Sequence, residues 1–203
     1  MYFCLLLLTG IGKVCEPNVN DTTIARAVDL WVINKTAARE KFCDISIWNV
    51  SSVTDMHGLF GGIRNFNDDI TKWDTAFVTD MSGMFRDSSK FNQDIRNWNT
   101  TNVNTFESMF DGAMNFNRDI SKWNTGKVKS MRQMFQRAYS FNRDISLWNV
   151  SNVQEHGFLQ MFQGSGHLYA SNCDIVNNIA TNFSKKNTFW TSLDARLHGC
   201  LYS

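Results

Sequence analysis

The 203-residue sequence predicts a right-handed repeat solenoid of the α/β class, and three observations carry that expectation. Trp48, Trp73, Trp98, Trp123 and Trp148 recur at a constant step of 25 residues. The same step links Ile45, Ile70, Ile95, Ile120 and Ile145, and it links Asp44, Asp69, Asp94, Asp119 and Asp144. It also links Val53 through Val153 and the pairs Phe66-Asn67, Phe91-Asn92, Phe116-Asn117 and Phe141-Asn142. Finally, 16 Phe and 7 Trp with a single Pro give far too many rings for a disordered chain. A fixed period of this length is the signature of stacked units.

Each unit reads F-N-x-D-I-x-x-W-[N/D]-[T/V]-x-x-V-x-x-M-x-x-M-F. Inward residues at Ile, Trp and Thr/Val predict one short parallel strand. Apolar residues at Val, Met, Met and Phe predict one short helical turn, with Ser51, Ser52, Asn102 and Asn152 placed to cap it. Neither piece can bury its apolar face alone, but stacked copies can. Strands of successive coils would lie about 4.8 Å apart, so the rings stack on their own kind and form the core. A buried Trp cannot also serve as a ligand platform. The Asn column predicts a ladder between coils. The Asp column predicts carboxylates that accept backbone N–H groups at a turn, with a calcium-binding edge as the sharper alternative.

The elements fall in order along the chain. Residues 1–15 hold the apolar run Tyr2–Leu8, which is short for a membrane span and reads as a signal peptide or a hydrophobic N-terminal strand. Residues 16–41 are the expected N-terminal capping helix region. There Ile24, Val28, Trp31 and Val32 share a face, and Asp21 or Thr22 stands at the N-cap. Residues 42–165 hold the five coils. In the fifth, His156 replaces a methionine and Met161-Phe162 comes two residues late. Residues 166–203 form the expected C-terminal cap, where Cys173-Asp174-Ile175 echoes Cys43-Asp44-Ile45. Cys173–Cys200 is the first candidate disulfide and Cys15–Cys43 the second; sequence leaves the connectivity open. No CxxC pair or metal-ligand spacing occurs, so no metal and no cofactor is expected.

The units FNQDIRNWNTTNVNTFESMF, FNRDISKWNTGKVKSMRQMF and FNRDISLWNVSNVQEHG resemble the BspA-type leucine-rich-repeat surface-protein repeat. That repeat also occurs in mycoplasma surface lipoproteins and in secreted proteins of protists and algae. The resemblance covers about residues 42–162. It implies a leucine-rich-repeat-like solenoid used for surface display, adhesion or protein binding, and it brings no catalytic residues. Phe77, Phe106 and His156 depart from the pattern.

The strand residues between the inward ones would face the exposed concave surface. The candidate binding residues there are Asn49, Lys72, Asp74, Arg96, Asn97, Asn99, Lys122, Asn124 and Asn149. A solvated face without a ligand is the plainer alternative. The net charge of +1 names no partner, but its distribution is uneven. Residues 54–80 carry five acids and two bases, whereas residues 117–143 carry seven bases and one acid, a net of +6. Lys122, Lys127, Lys129, Arg132 and Arg137 are the candidate basic patch for an anionic partner; nucleic acid is not expected. Sequons fall at Asn20, Asn34, Asn49, Asn99, Asn149 and Asn182. The expected function is a non-catalytic interaction module, extracellular or at the cell surface, binding protein or glycan. The alternatives are a structural coat or spacer and a carbohydrate-active enzyme. A carboxylate column that recurs five times argues against a unique active site.

Overall fold

The computed structural model describes residues 14–154 and 156–165. The chain enters through strand β1 (Asn18–Asn20), helix α1 (Ile24–Ile33) and helix α2 (Lys35–Phe42). A 3₁₀ turn at Ile45–Ile47 and strand β2 (Asn49–Ser52) follow. Helix α1 forms because Ile24, Ala27, Val28 and Trp31 repeat at helical spacing and are all buried. The single helix expected through Arg39 is instead broken at Asn34. The Asn34 N–H closes α1 on the Leu30 carbonyl, and its Oδ1 accepts the Ala37 N–H at 3.0 Å to open α2. Asn competes with a helix interior in this way, so one residue serves as both stop and start.

Beyond β2, successive 25-residue units lie side by side. The N–H groups of Met56 and Phe60 donate to the carbonyls of Asp80 and Met84. Those of Met81 and Phe85 donate to Thr105 and Met109, and those of Phe106 and Phe110 to Ser130 and Met134. Single parallel bridges at Asp55–Asp80, Asp80–Thr105 and Thr105–Ser130 mark the same register.

Inside the unit, the elements differ from those the sequence predicts. The expected strand is a turn, closed in unit three by the Trp98 N–H on the Ile95 carbonyl. The expected helical turn is a run of tight turns such as Met109 to Phe106 and Ala113 to Phe110, and every second N–H leaves for the neighbouring unit. Left-handed backbone explains this. Gly58, Gly83, Ser108 and Gln133 form one column with positive φ, and Gly62, Asp87, Gly112 and Arg137 form another. A right-handed helix cannot run through a left-handed residue at every fourth position. Only some of these positions are glycine, which hid them in the sequence.

The interior is ring on ring. Phe60, Phe85, Phe110 and Phe135 stack with centroids 5.6, 5.7 and 5.7 Å apart, and Phe162 continues the column at 5.6 Å. Trp48, Trp73 and Trp98 stack at 6.2 and 6.5 Å. From Trp73 onward each indole N–H also crosses to the previous unit, whereas that of Trp48 bonds the Cys43 carbonyl five residues back. Trp73, Trp98, Trp123 and Trp148 donate to the carbonyls of Ile45, Ile70, Ile95 and Ile120. Phe106, the outlier in the methionine column, is buried and stacks on Trp123 at 5.3 Å. Asn67, Asn92 and Asn117 each accept, through Oδ1, the N–H of the Asn in the next unit. One hydrophobic cluster runs from Val19 to Phe162.

The first unit is closed off on its outer side. Strand β1 pairs in parallel with β2, which satisfies an edge that would otherwise invite another chain. The Asp21 carboxylate accepts the N–H groups of Thr54 and Asp55 at 2.7 and 3.1 Å. In later units the matching N–H, on Thr79 or Asn104, donates to a carbonyl of the preceding unit. Asp21 therefore stands in for a missing unit and does not cap α1. Trp31 meets Trp48 edge-on, at 81°, and ends the Trp column. A Cys15–Cys43 disulfide ties the segment down, with the Cα atoms 5.1 Å apart.

In the fifth unit the two extra residues enter between Gln154 and Gly157. Bonds from unit four reach 26 residues ahead, as in Met131 to Gly157 and Phe135 to Met161, and the Phe column resumes. The apolar run at residues 2–8, the Cys173–Cys200 pairing, the sequon at Asn182 and the cap at 166–203 lie outside the described residues.

Candidate functional site: the exposed rows

The stack turns its shared apolar residues inward and arrays polar and variable residues in rows that run across the units. Three rows are set by side-chain-capped turns. Asp44, Asp69, Asp94, Asp119 and Asp144 each accept the N–H two residues on. Asn49, Asp74, Asn99, Asn124 and Asn149 do the same. So do Asp55, Asp80, Thr105 and Ser130. Short polar side chains make such bonds at low cost, and they fix the corners of the unit.

Electrostatics follow from these bonds. The backbone N–H groups of Thr71, Ser121 and Ser146 hold Asp69, Asp119 and Asp144 below the usual carboxylate range. The Arg96 guanidinium does the same for Asp94 at 2.8 Å. Burial pushes Asp44 up, but the hydroxyl and N–H of Ser46 outweigh it and its net shift is downward.

The nine candidate binding residues are all exposed, but they are not equivalent. Asn49, Asp74, Asn99, Asn124 and Asn149 are the turn anchors just described, so one oxygen of each is already spoken for. Arg96 is paired with Asp94. Lys72, Asn97 and Lys122 remain, in a row with Ile47 and Leu147. No hydrogen bond or ion pair holds these three side chains among the described residues. Ile47 and Leu147 are 55% and 85% exposed.

The expected basic patch divides among different rows. Arg137 does not belong to a free patch: its guanidinium bonds the Asp111 carboxylate at 2.8 and 3.0 Å and Asp87 at 3.3 Å. Asp111 is buried, and Arg86 approaches it at 3.5 Å, so this cluster clamps neighbouring units together. Lys122 lies in the row with Lys72, Lys127 in the row with Asn102, Lys129 in the row with Asn104, and Arg132 in the row with Glu107. None of these four forms an ion pair among the described residues.

Two constellations went unread in the sequence. Ser82 Oγ donates to Asp80 and lies 2.7 Å from His57 Nδ1. The hydroxyl proton points at the carboxylate, whereas activation of a serine nucleophile needs it on the histidine. The second is the row Phe77, Asn102, Lys127 and Asn152, in which Phe77 is 61% exposed. The signal was present: Phe77 interrupts the repeat at a position where the other units carry polar residues.

These features define a class: a repeat protein with a uniform, ring-filled interior whose varied chemistry is on its outer rows. The family model described as "Mycoplasma protein of unknown function, DUF285" matches the chain twice, over residues 31–120 and 98–195. The chain belongs to this family. No curated protein and no solved structure matches it.

Proposed function

We propose that the chain is a non-catalytic interaction module of the BspA-like, leucine-rich-repeat-like solenoid kind, displayed outside the cell or on its surface. It binds protein or glycan through the row Ile47, Lys72, Asn97, Lys122 and Leu147. One observation carries this reading. The buried positions repeat the same side chain unit after unit, while this exposed row changes from apolar to cation to amide to cation to apolar. Packing dictates the first set and leaves the second free, so the second is where binding chemistry can be written. The exposed aliphatic ends give a partner apolar anchors, and the lysines between them set charge and orientation. The Cys15–Cys43 disulfide favours an oxidising compartment.

The test is a binding screen of the chain on protein and glycan arrays, followed by a Lys72→Glu/Lys122→Glu variant. A ligand captured by the wild type and lost by the variant, with melting temperature unchanged, is the expected result. Capture that survives both charge reversals, and also Leu147→Asp, would remove this row from the function.

A further inference from the structure

We infer a second binding surface, for an acidic polysaccharide, along the row Phe77, Asn102, Lys127 and Asn152 and its neighbour row Asn104 and Lys129. It rests on the interaction-module reading but uses a different set of residues from the row proposed above.

The row is held in shape by bonds between units. Asn102 Nδ2 donates to the Ala76 carbonyl at 2.8 Å, and Asn152 Nδ2 donates to the Gly126 carbonyl at 2.6 Å. Lys127 Nζ donates to Asn102 Oδ1 at 2.7 Å. This last bond matters most. Lys35, Arg39, Arg86, Arg96 and Arg137 are each neutralised by a carboxylate. Lys127 is held by a neutral amide, so this contact leaves its charge uncompensated. Lys129, two residues on, also lacks an ion pair among the described residues. Two exposed cations without a carboxylate partner among the described residues thus flank buried Val128.

The chemistry selects the ligand class. Each amide carries a second N–H besides the one given to the neighbouring unit, a donor that a hydroxyl-rich polymer can use. The cations suit carboxylate or sulfate groups. Phe77 offers a ring face of negative potential, on which the C–H face of a sugar can lie. Rows advance by one unit at a time, and the stacked Phe rings of successive units lie 5.6 to 5.7 Å apart, close to the length of one pyranose ring. A polymer laid along the row can therefore meet one unit with each sugar. An acidic protein face fits less well, because the corner lacks the buried apolar cluster that anchors protein interfaces. Asp74 lies near the Phe77 end of the row. The anionic groups accordingly sit over unit four, which carries Lys127 and Lys129, and a neutral ring lies over Phe77.

The experiment measures binding of the wild-type chain to heparin, polygalacturonate, neutral dextran and poly-glutamate at low and high salt. Heparin and polygalacturonate separate sulfate from carboxylate recognition. Binding to one or both, weakening with salt, with none to dextran, is the expected result. Lys127→Ala/Lys129→Ala and, separately, Phe77→Ala should each lower affinity by about tenfold with melting temperature unchanged. Lys72→Glu/Lys122→Glu should leave this affinity within about twofold. The inference is overturned if neither acidic polysaccharide binds, if poly-glutamate binds as well as they do, or if the Lys127/Lys129 or Phe77 variants bind like wild type. Loss only in the Lys72/Lys122 variant would also overturn it, while leaving the first row's reading intact.

Discussion

Trp98 serves the stack twice: its ring lies on Trp73, and its indole N–H bonds Ile70 of the previous unit. Replacing it with Ala removes a buried ring and strands a carbonyl, so Trp98→Ala should cost about 3–5 kcal/mol. Chemical denaturation would read that loss directly; a midpoint equal to wild type would place the ring outside the core. Gly112 is the second sensitive position. Its φ is +71°, and an added Cβ would meet Asp87 Oδ1 at 2.4 Å and Asp87 Cα at 3.2 Å. Gly112→Ala should therefore destabilise by about 1–3 kcal/mol. The tryptophan was legible in the sequence because its spacing repeats without exception. The left-handed columns were not, because Asp87, Ser108, Gln133 and Arg137 occupy them as well as glycine.

At the level of the element, the unit is made of capped turns more than of strand and helix. The apolar spacing was read correctly as inward-facing, but spacing alone does not distinguish a helical turn from a chain of tight turns whose donors go to a neighbour. The Asp columns give the turns a pH dependence. Asp69, Asp119 and Asp144 have folded-state pKa values below the ordinary value of 3.8. Their contribution is complete above that value and fades as pH falls through the folded values. Asn49 and Asn99 hold the same kind of turn without charge. The triple variant Asp69→Asn/Asp119→Asn/Asp144→Asn should thus stay folded and lose less stability than wild type on going from about pH 5 to pH 2. Parallel melting curves across that range would show it; identical acid slopes would dismiss the carboxylates as its cause.

Across the whole molecule, stability depends on contacts between units and on how the ends are closed. The Cys15–Cys43 link spans 28 residues and holds β1, Asp21 and the helices against the first unit. A closed loop of that size is worth about 3 kcal/mol, so Cys15→Ser/Cys43→Ser should lower the melting temperature, and a reductant should then have no further effect through this pair. The candidate site was half legible. Exposure of the strand-face residues followed from the period, but their roles did not. Which arginine is claimed by buried Asp111, and which lysine leans on a neutral amide, are settled by contacts between residues about 25 positions apart. Such contacts have no local signature.

The central claim is that equivalent units hold one another through the ring columns, so one unit can be removed whole. Deleting residues 94–118 joins Gln93 to Asp119 and restores the pattern Phe-Asn-Gln-Asp-Ile. Thermal unfolding of this variant, followed by near-ultraviolet circular dichroism, is the most direct measurement. The expected result is a cooperative transition with the native aromatic signal at a modestly lower temperature, while deletion of residues 94–105 abolishes it. Loss of the transition in the whole-unit deletion, or its survival in both, would contradict the account.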